Sequence, residues 1–216
     1  MATELRNEYY ESGKLKFNGE YLNGKRNGKG KEYYENGKLK YEGEYLNGKR
    51  NGKGKEYDYD GKLEFEGEYL NGIRNEINLI YKTNEKGKQK IFGQYFVENN
   101  KNNIELIINN TKSKLIDEYE LEKGENNIKL IIKNNMTNLR KMFYECKSLY
   151  NIEELKFLDI SKCTSVYFLF SGCSSLSDIK PLEKWDVSKC TNFGGMFSDC
   201  SKIVDRTLIN KKFKEK

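Results

Sequence analysis

Apolar and polar residues alternate along the first third of the chain. In Tyr41-Glu42-Gly43-Glu44-Tyr45, aromatics alternate with charged or small residues, the period-two pattern of a strand with one buried face. The pattern returns every 24 residues: Tyr9, Tyr33 and Tyr57; Leu15, Leu39 and Leu63; Phe17, Tyr41 and Phe65; Gly19, Gly43 and Gly67; Tyr21, Tyr45 and Tyr69. Asn47-Gly48 is the dipeptide favoured where a hairpin turn needs positive φ at both central positions. A second cluster, Asn51-Gly52-Lys53-Gly54, starts the returning strand, where missing side chains let neighbouring aromatics lie across the backbone. Each unit therefore reads as a strand, a tight hairpin turn and a returning strand. The array ends where Ile73 stands for the lysine of Lys25 and Lys49, and Glu76 for the glycine of Gly28 and Gly52.

A second period, of 27, organises the C-terminal third. Phe143, Phe170 and Phe197 share an offset, as do Cys146, Cys173 and Cys200, and Thr137, Thr164 and Thr191. Apolar residues fall at i, i+3, i+4 and i+7 in Leu139, Met142, Phe143 and Cys146, then Val166, Leu169, Phe170 and Cys173, then Phe193, Met196, Phe197 and Cys200. That spacing predicts one face of a short helix per unit, capped by the upstream threonine. An extended stretch is expected after it, through Leu149, Ile152 and Leu155 and again through Leu176, Ile179 and Leu182. Between the arrays, residues 76–127 carry apolar bursts such as Ile77-Asn78-Leu79-Ile80-Tyr81, separated by Asn-rich turns. They read as short strands and hairpins forming a cap, which an exposed repeat core requires. Residues 205–216 read as a frayed basic tail.

The first unit resembles the MORN repeat, whose signature is an aromatic-x-Gly-x-aromatic strand, an Asn-Gly turn and a Gly-x-Gly return strand. The stretch Tyr-Glu-Asn-Gly-Lys-Leu-Lys at 34–40 resembles the variant found in bacterial relatives. The resemblance implies a curved sheet of stacked hairpins. The string M-F-x-x-C-x-S-L followed by D-[IV]-S-K-C-T resembles the BspA-like leucine-rich repeat. Trp185-Asp186-Val187-Ser188 matches its second half, whereas Leu158-Asp159-Ile160-Ser161 lacks the tryptophan. That resemblance covers residues 128–204 and implies a solenoid used for surface adhesion or protein binding. The fold class expected is therefore a mainly β tandem-repeat protein: MORN hairpins over 8–75, a β-rich adaptor over 76–127, and a leucine-rich-repeat-like solenoid with short helices over 128–204.

Composition narrows the chemistry. Charged residues make up 33% and mean hydropathy is -0.90, values that lean toward disorder, yet aromatics reach 13% at fixed intervals, which argues for a packed fold. A formal charge of +6 is too mild for a nucleic-acid-binding tail. No run approaches the roughly 18–20 apolar residues of a membrane span, and the first residues lack the apolar core of a signal peptide. The five cysteines show no metal-site spacing and read as reduced thiols of a cytoplasmic protein, with a position peripheral to a membrane or the cytoskeleton as an alternative. Histidine, the commonest general base and metal ligand, is absent. Gly28-Lys29-Gly30 and Gly52-Lys53-Gly54 lack the spacing of a phosphate-binding loop. No enzyme, metal site, cofactor, nucleic acid or small-molecule substrate is expected.

The period places like charges in register. Lys25 aligns with Lys49, Arg26 with Arg50 and Arg74, and Lys29 with Lys53, a candidate basic stripe along one edge for an acidic partner or anionic phospholipid. Glu20, Glu44 and Glu68 form an acidic row nearby. The plainer reading is a solvated edge whose charges are relieved by that row, since residues 1–75 hold 15 Lys+Arg against 14 Asp+Glu. The function expected is a non-enzymatic protein-binding adaptor using two repeat surfaces. The alternatives are a peripheral membrane tether and a surface adhesin.

Overall fold

In the computed structural model, which describes residues 3–213, the chain forms two compact units that divide between Glu76 and Ile77. The first is a seven-stranded antiparallel sheet in sequence order: β1 (Glu4–Tyr9), β2 (Leu15–Leu22), β3 (Lys25–Tyr33), β4 (Leu39–Leu46), β5 (Lys49–Tyr57), β6 (Leu63–Leu70) and β7 (Ile73–Arg74). Hairpins close at Asn23-Gly24, Asn47-Gly48 and Asn71-Gly72, where all six residues have positive φ. Glycine pairs Gly30↔Gly43 and Gly54↔Gly67 run through the middle of the sheet in register. With no Cβ there, the rings of Phe17 and Tyr41 lie across the neighbouring backbone; a methyl on Gly30 would meet Phe17 Cε2 at 2.7 Å. The buried aromatic residues of this unit (Phe17, Tyr21, Tyr41, Tyr45 and Tyr69) all lie on one face, joined edge to face at centroid distances of 5.1–5.7 Å.

The second unit has one core that runs from Ile77 to Phe213. A five-stranded sheet in the order β11-β10-β13-β8-β14 is built from β8 (Glu76–Thr83), β10 (Ile104–Ile108), β11 (Thr111–Lys114), β13 (Gly124–Ile132) and β14 (Leu149–Asn151). A two-stranded ribbon pairs β9 (Gly87–Lys90) with β12 (Glu118–Leu121), and helix α1 (Gln94–Asn100) sits between β9 and β10 in sequence. The adaptor boundary expected at 127/128 falls inside β13, because Ile128, Leu130 and Ile132 pack in the same cluster as the repeat residues. Helix α1, which buries Phe96 and Val97, has no counterpart in the expected hairpins.

The short helices expected at Leu139–Cys146 and its two copies are absent among the described residues; those segments are stacked turns. Alternate amides of one coil donate to the next: Leu139 to Ser165, Lys141 to Tyr167, Phe143 to Leu169 and Glu145 to Ser171. The intervening Met142, Tyr144 and Cys146 amides close turns on the carbonyl three residues back. With half of the N–H groups committed to the neighbouring coil, i to i−4 bonding cannot propagate, and positive φ at Lys141, Glu145, Phe168 and Gly172 interrupts it further. Helical turns occur instead where extended chain was expected, as 3-10 helices at Glu153–Phe157 and Lys180–Lys184. The tail also differs from expectation. Helix α2 (Thr207–Lys212) forms there, and the buried Phe213 packs against Phe193 and Phe197; residues 214–216 lie outside the described residues. No described helix is long and apolar enough to cross a membrane.

Candidate functional site

The two faces of the N-terminal sheet differ in chemistry. On the aromatic face, Arg26 lies 3.9 Å from the Phe17 ring centroid and Arg50 4.0 Å from that of Tyr41, with Arg74 over Phe65 at 4.6 Å. Each guanidinium is ion-paired: Arg26 with Glu8 at 2.6 Å, Arg50 with Glu32 and Glu56 at 2.9 Å, Arg74 with Glu56 at 2.8 Å. Tyr21, Tyr45 and Tyr69 donate their hydroxyls to Glu8, Glu32 and Glu56 in turn. The result is a line of alternating charge that repeats every 24 residues and covers the rings. Burial pushes the Glu32 and Glu56 carboxyls up, but their arginine partners outweigh it and hold both below the usual carboxylate range. Burial pushes the Tyr41 hydroxyl up to about 12.

The opposite face carries a groove of about 750 Å³ between Leu5 and Glu76. Its floor is the glycine backbone of Gly19, Gly30, Gly43, Gly54 and Gly67. Its walls are like-charged pairs that alternate by strand: Lys29 and Lys31 on β3, Glu42 and Glu44 on β4, Lys53 and Lys55 on β5, Glu66 and Glu68 on β6. Lys31 reaches Glu42 at 3.4 Å and Lys55 reaches Glu66 at 3.2 Å. Four lysines face six glutamates around the groove, so its lining is of mixed sign with a slight acidic excess.

The candidate basic stripe is therefore divided between two faces. Arg26, Arg50 and Arg74 lie within the ion-paired line on the aromatic face, at 10–19% side-chain exposure. Lys29 and Lys53 are exposed in the groove, in register with Glu44 and Glu68. Lys25 and Lys49 are exposed beside the hairpin turns, opposite Leu22 and Leu46. Sequence reasoning missed the glutamates of the aromatic face, although Glu8, Glu32 and Glu56 share the 24-residue period. It also missed Lys31, Lys55, Glu42 and Glu66 as groove walls, although period-two alternation about the glycines marks them.

In the second unit the thiols are buried and unpaired by disulfides. Cys173 Sγ donates to the Phe143 carbonyl, Cys200 Sγ to that of Phe170 and Cys190 Sγ to that of Cys163, each at 3.0 Å. Burial pushes Cys146 and Cys173 well above the usual thiol range and Cys200 up to about 11. Such thiols are core groups; reactive ones are exposed and ionised. Trp185 Nε1 donates to the Leu155 carbonyl across the same coils. No described cluster of three or more Cys, Asp or Glu could hold a metal ion.

These features define a tandem-repeat protein whose N-terminal unit is a one-layered hairpin sheet with one self-covered and one open face. Its N-terminal part carries MORN repeats: residues 5–23 and 26–47 match the MORN repeat variant and residues 41–62 the MORN repeat. Residues 113–214 match a family described as Mycoplasma protein of unknown function, DUF285. No curated protein matches the chain.

Proposed function

We propose that this protein is a non-enzymatic adaptor that binds a protein partner in the groove of its MORN sheet. The observation that supports this most is the groove itself. It is open and about 750 Å³ in volume, floored by glycine backbone and walled by alternating lysine and glutamate pairs. Such walls suit a partner segment of mixed charge, with the sign pattern giving register and specificity. The acidic excess and the ion-paired arginines weigh against an anionic membrane surface, which needs unopposed basic residues. The C-terminal coils, read as a BspA-like leucine-rich solenoid, supply a second surface of stacked turns suited to an extended partner.

The test is site-specific photocrosslinking of the full chain in lysate of its native cell. A crosslinker at Lys53 should trap a discrete protein. The same group at Lys88, on the β9–β12 ribbon, should not trap it, and swapping charges with Lys29→Glu and Glu44→Lys, a cross-strand pair of the same groove, should abolish capture from Lys53. Equal capture from both positions, or capture that survives the swap, sinks the reading. Binding of the full chain to anionic vesicles that falls with salt would instead favour the membrane alternative.

A further inference from the structure

Arg140 has an unusual setting. Among the described arginines, Arg6, Arg26, Arg50 and Arg74 each hold a carboxylate, whereas the exposed Arg206 and the partly buried Arg140 make no ion pair with any described residue. Its guanidinium carbon lies 5.0 Å from the ring centroids of both Tyr95 and Tyr167, and its Nε is buried with no hydrogen-bond partner. The backbone on either side is fixed by amides of Leu139 and Lys141 that donate into the next coil at 3.0 and 2.9 Å. An arginine held by two rings on a pinned backbone is pre-organised, and its orientation costs little entropy on binding.

The guanidinium borders a polar pocket of about 210 Å³ between the C-terminal half of α1 and the first coil. Asn99, Asn100, Asn135 and Asn138 contribute to its lining, and no aspartate or glutamate does. Asn99 and Asn100 donate their amide groups back to the Tyr95 and Phe96 carbonyls at 2.7 and 2.9 Å, so those helix carbonyls are already satisfied. Asn138 Oδ1 accepts the Arg140 backbone amide at 2.8 Å, which leaves its Nδ2 as a further donor. The site thus joins one uncompensated positive charge to neutral amides. The pocket has a volume of about 210 Å³. It falls below the ~300–1,000 Å³ of pockets for drug-sized ligands.

We propose that this pocket binds a small oxyanion, a phosphate or carboxylate group that supplies the acceptor Arg140 lacks. The guanidinium fork matches either group, and the neutral walls impose no repulsion. The site does not rest on the adaptor reading, and a failure of groove crosslinking would leave it standing.

The test follows the arginine Nε–H resonances of the full chain by NMR during titration with sodium phosphate, sodium acetate and, at matched ionic strength, sodium chloride. The Arg140 resonance should shift saturably with phosphate or acetate and not with chloride. Tighter binding of phosphate assigns a phosphoryl ligand, and tighter binding of acetate a carboxylate. Arg140→Gln should abolish saturation in calorimetry, with the fold checked by circular dichroism. Asn135→Asp keeps Arg140 but puts a carboxylate in the wall, and should weaken binding roughly tenfold or more. Shifts no greater than those with chloride, or unweakened binding by Asn135→Asp, overturn the proposal.

Discussion

A methyl group added to Gly54 would lie 2.6 Å from two carbons of the Tyr41 ring, well inside van der Waals contact. The ring cannot swing aside, because Arg50 lies over it and Tyr45 and Tyr69 pack on its edges. Gly54→Ala should therefore destabilise the N-terminal sheet by about 1–3 kcal/mol, the usual cost of overpacking. Hydrogen exchange of peptides within residues 3–76 would report it; unchanged protection there would refute the packing account. Arg50 is the other decisive residue, since one guanidinium serves Glu32, Glu56 and the Tyr41 ring. Arg50→Met keeps the stem over the ring but leaves two half-buried carboxylates short of a partner. A loss of about 2–3 kcal/mol is expected, low in the range for broken buried pairs because the groups retain some solvent contact. The columns containing these residues were legible as a 24-residue period. Their faces were legible too: strand alternation puts Arg26 with Gly30 and Glu32, and opposite Lys25 and Lys29. Register alone, without that parity, merges the two sets into one stripe. For Arg140 the 27-residue period places Tyr167 in its own column one coil on, whereas Tyr95, 45 residues away and outside the repeat, gave no such signal.

The C-terminal coils show how one apolar spacing serves two kinds of element. Leu139, Met142, Phe143 and Cys146 are all buried, as the i, i+3, i+4, i+7 pattern predicts. The pattern specifies which residues face inward but not where their amides go. Here they go to the next coil, and the phenylalanines at 143, 170 and 197 stack at centroid distances of 5.3 and 5.6 Å. The thiols join the coils in the same way, since each Sγ at 173 and 200 donates to a carbonyl 30 residues earlier. Cys173→Ala removes that bond and part of the packing, and should cost about 1–2 kcal/mol in chemical denaturation. Because all five thiols are buried, a disulfide-exchange reagent should label the native chain far more slowly than the denatured one. Rapid native labelling of Cys146 or Cys173 would contradict the burial that raises their pKa.

The two units differ in what holds them together, and that difference predicts how the molecule comes apart. The N-terminal sheet has five buried aromatics on one face and relies on ion pairs to cover them, whereas the second unit has a continuous apolar core from Ile77 to Phe213. The 24-residue period of the sequence also changes at residues 73–76. β13 carries its apolar alternation straight across residues 127 and 128. In the first unit, Glu8, Glu32, Glu42 and Glu56 all have carboxyls held below their ordinary value, through Arg26, Arg50, Arg74 and Tyr57. A depressed folded-state pKa means that the unfolded chain binds more protons as pH falls, so these groups stabilise the fold above about pH 4.3 and lose that contribution below it. Glu105, Glu118, Asp186 and Asp205 of the second unit are also held low, but they are fully exposed and contribute little, so acid should open the N-terminal unit first. The single tryptophan, Trp185, is buried in the second unit and reports on that unit alone. As pH falls below about 4.3, hydrogen exchange should rise across residues 3–76 while Trp185 emission stays native and the cysteines remain protected. Arg50→Met should flatten that acid dependence, because Glu32 and Glu56 no longer titrate so far below their unfolded values. Simultaneous loss of exchange protection and tryptophan signal would show instead that the two units unfold as one.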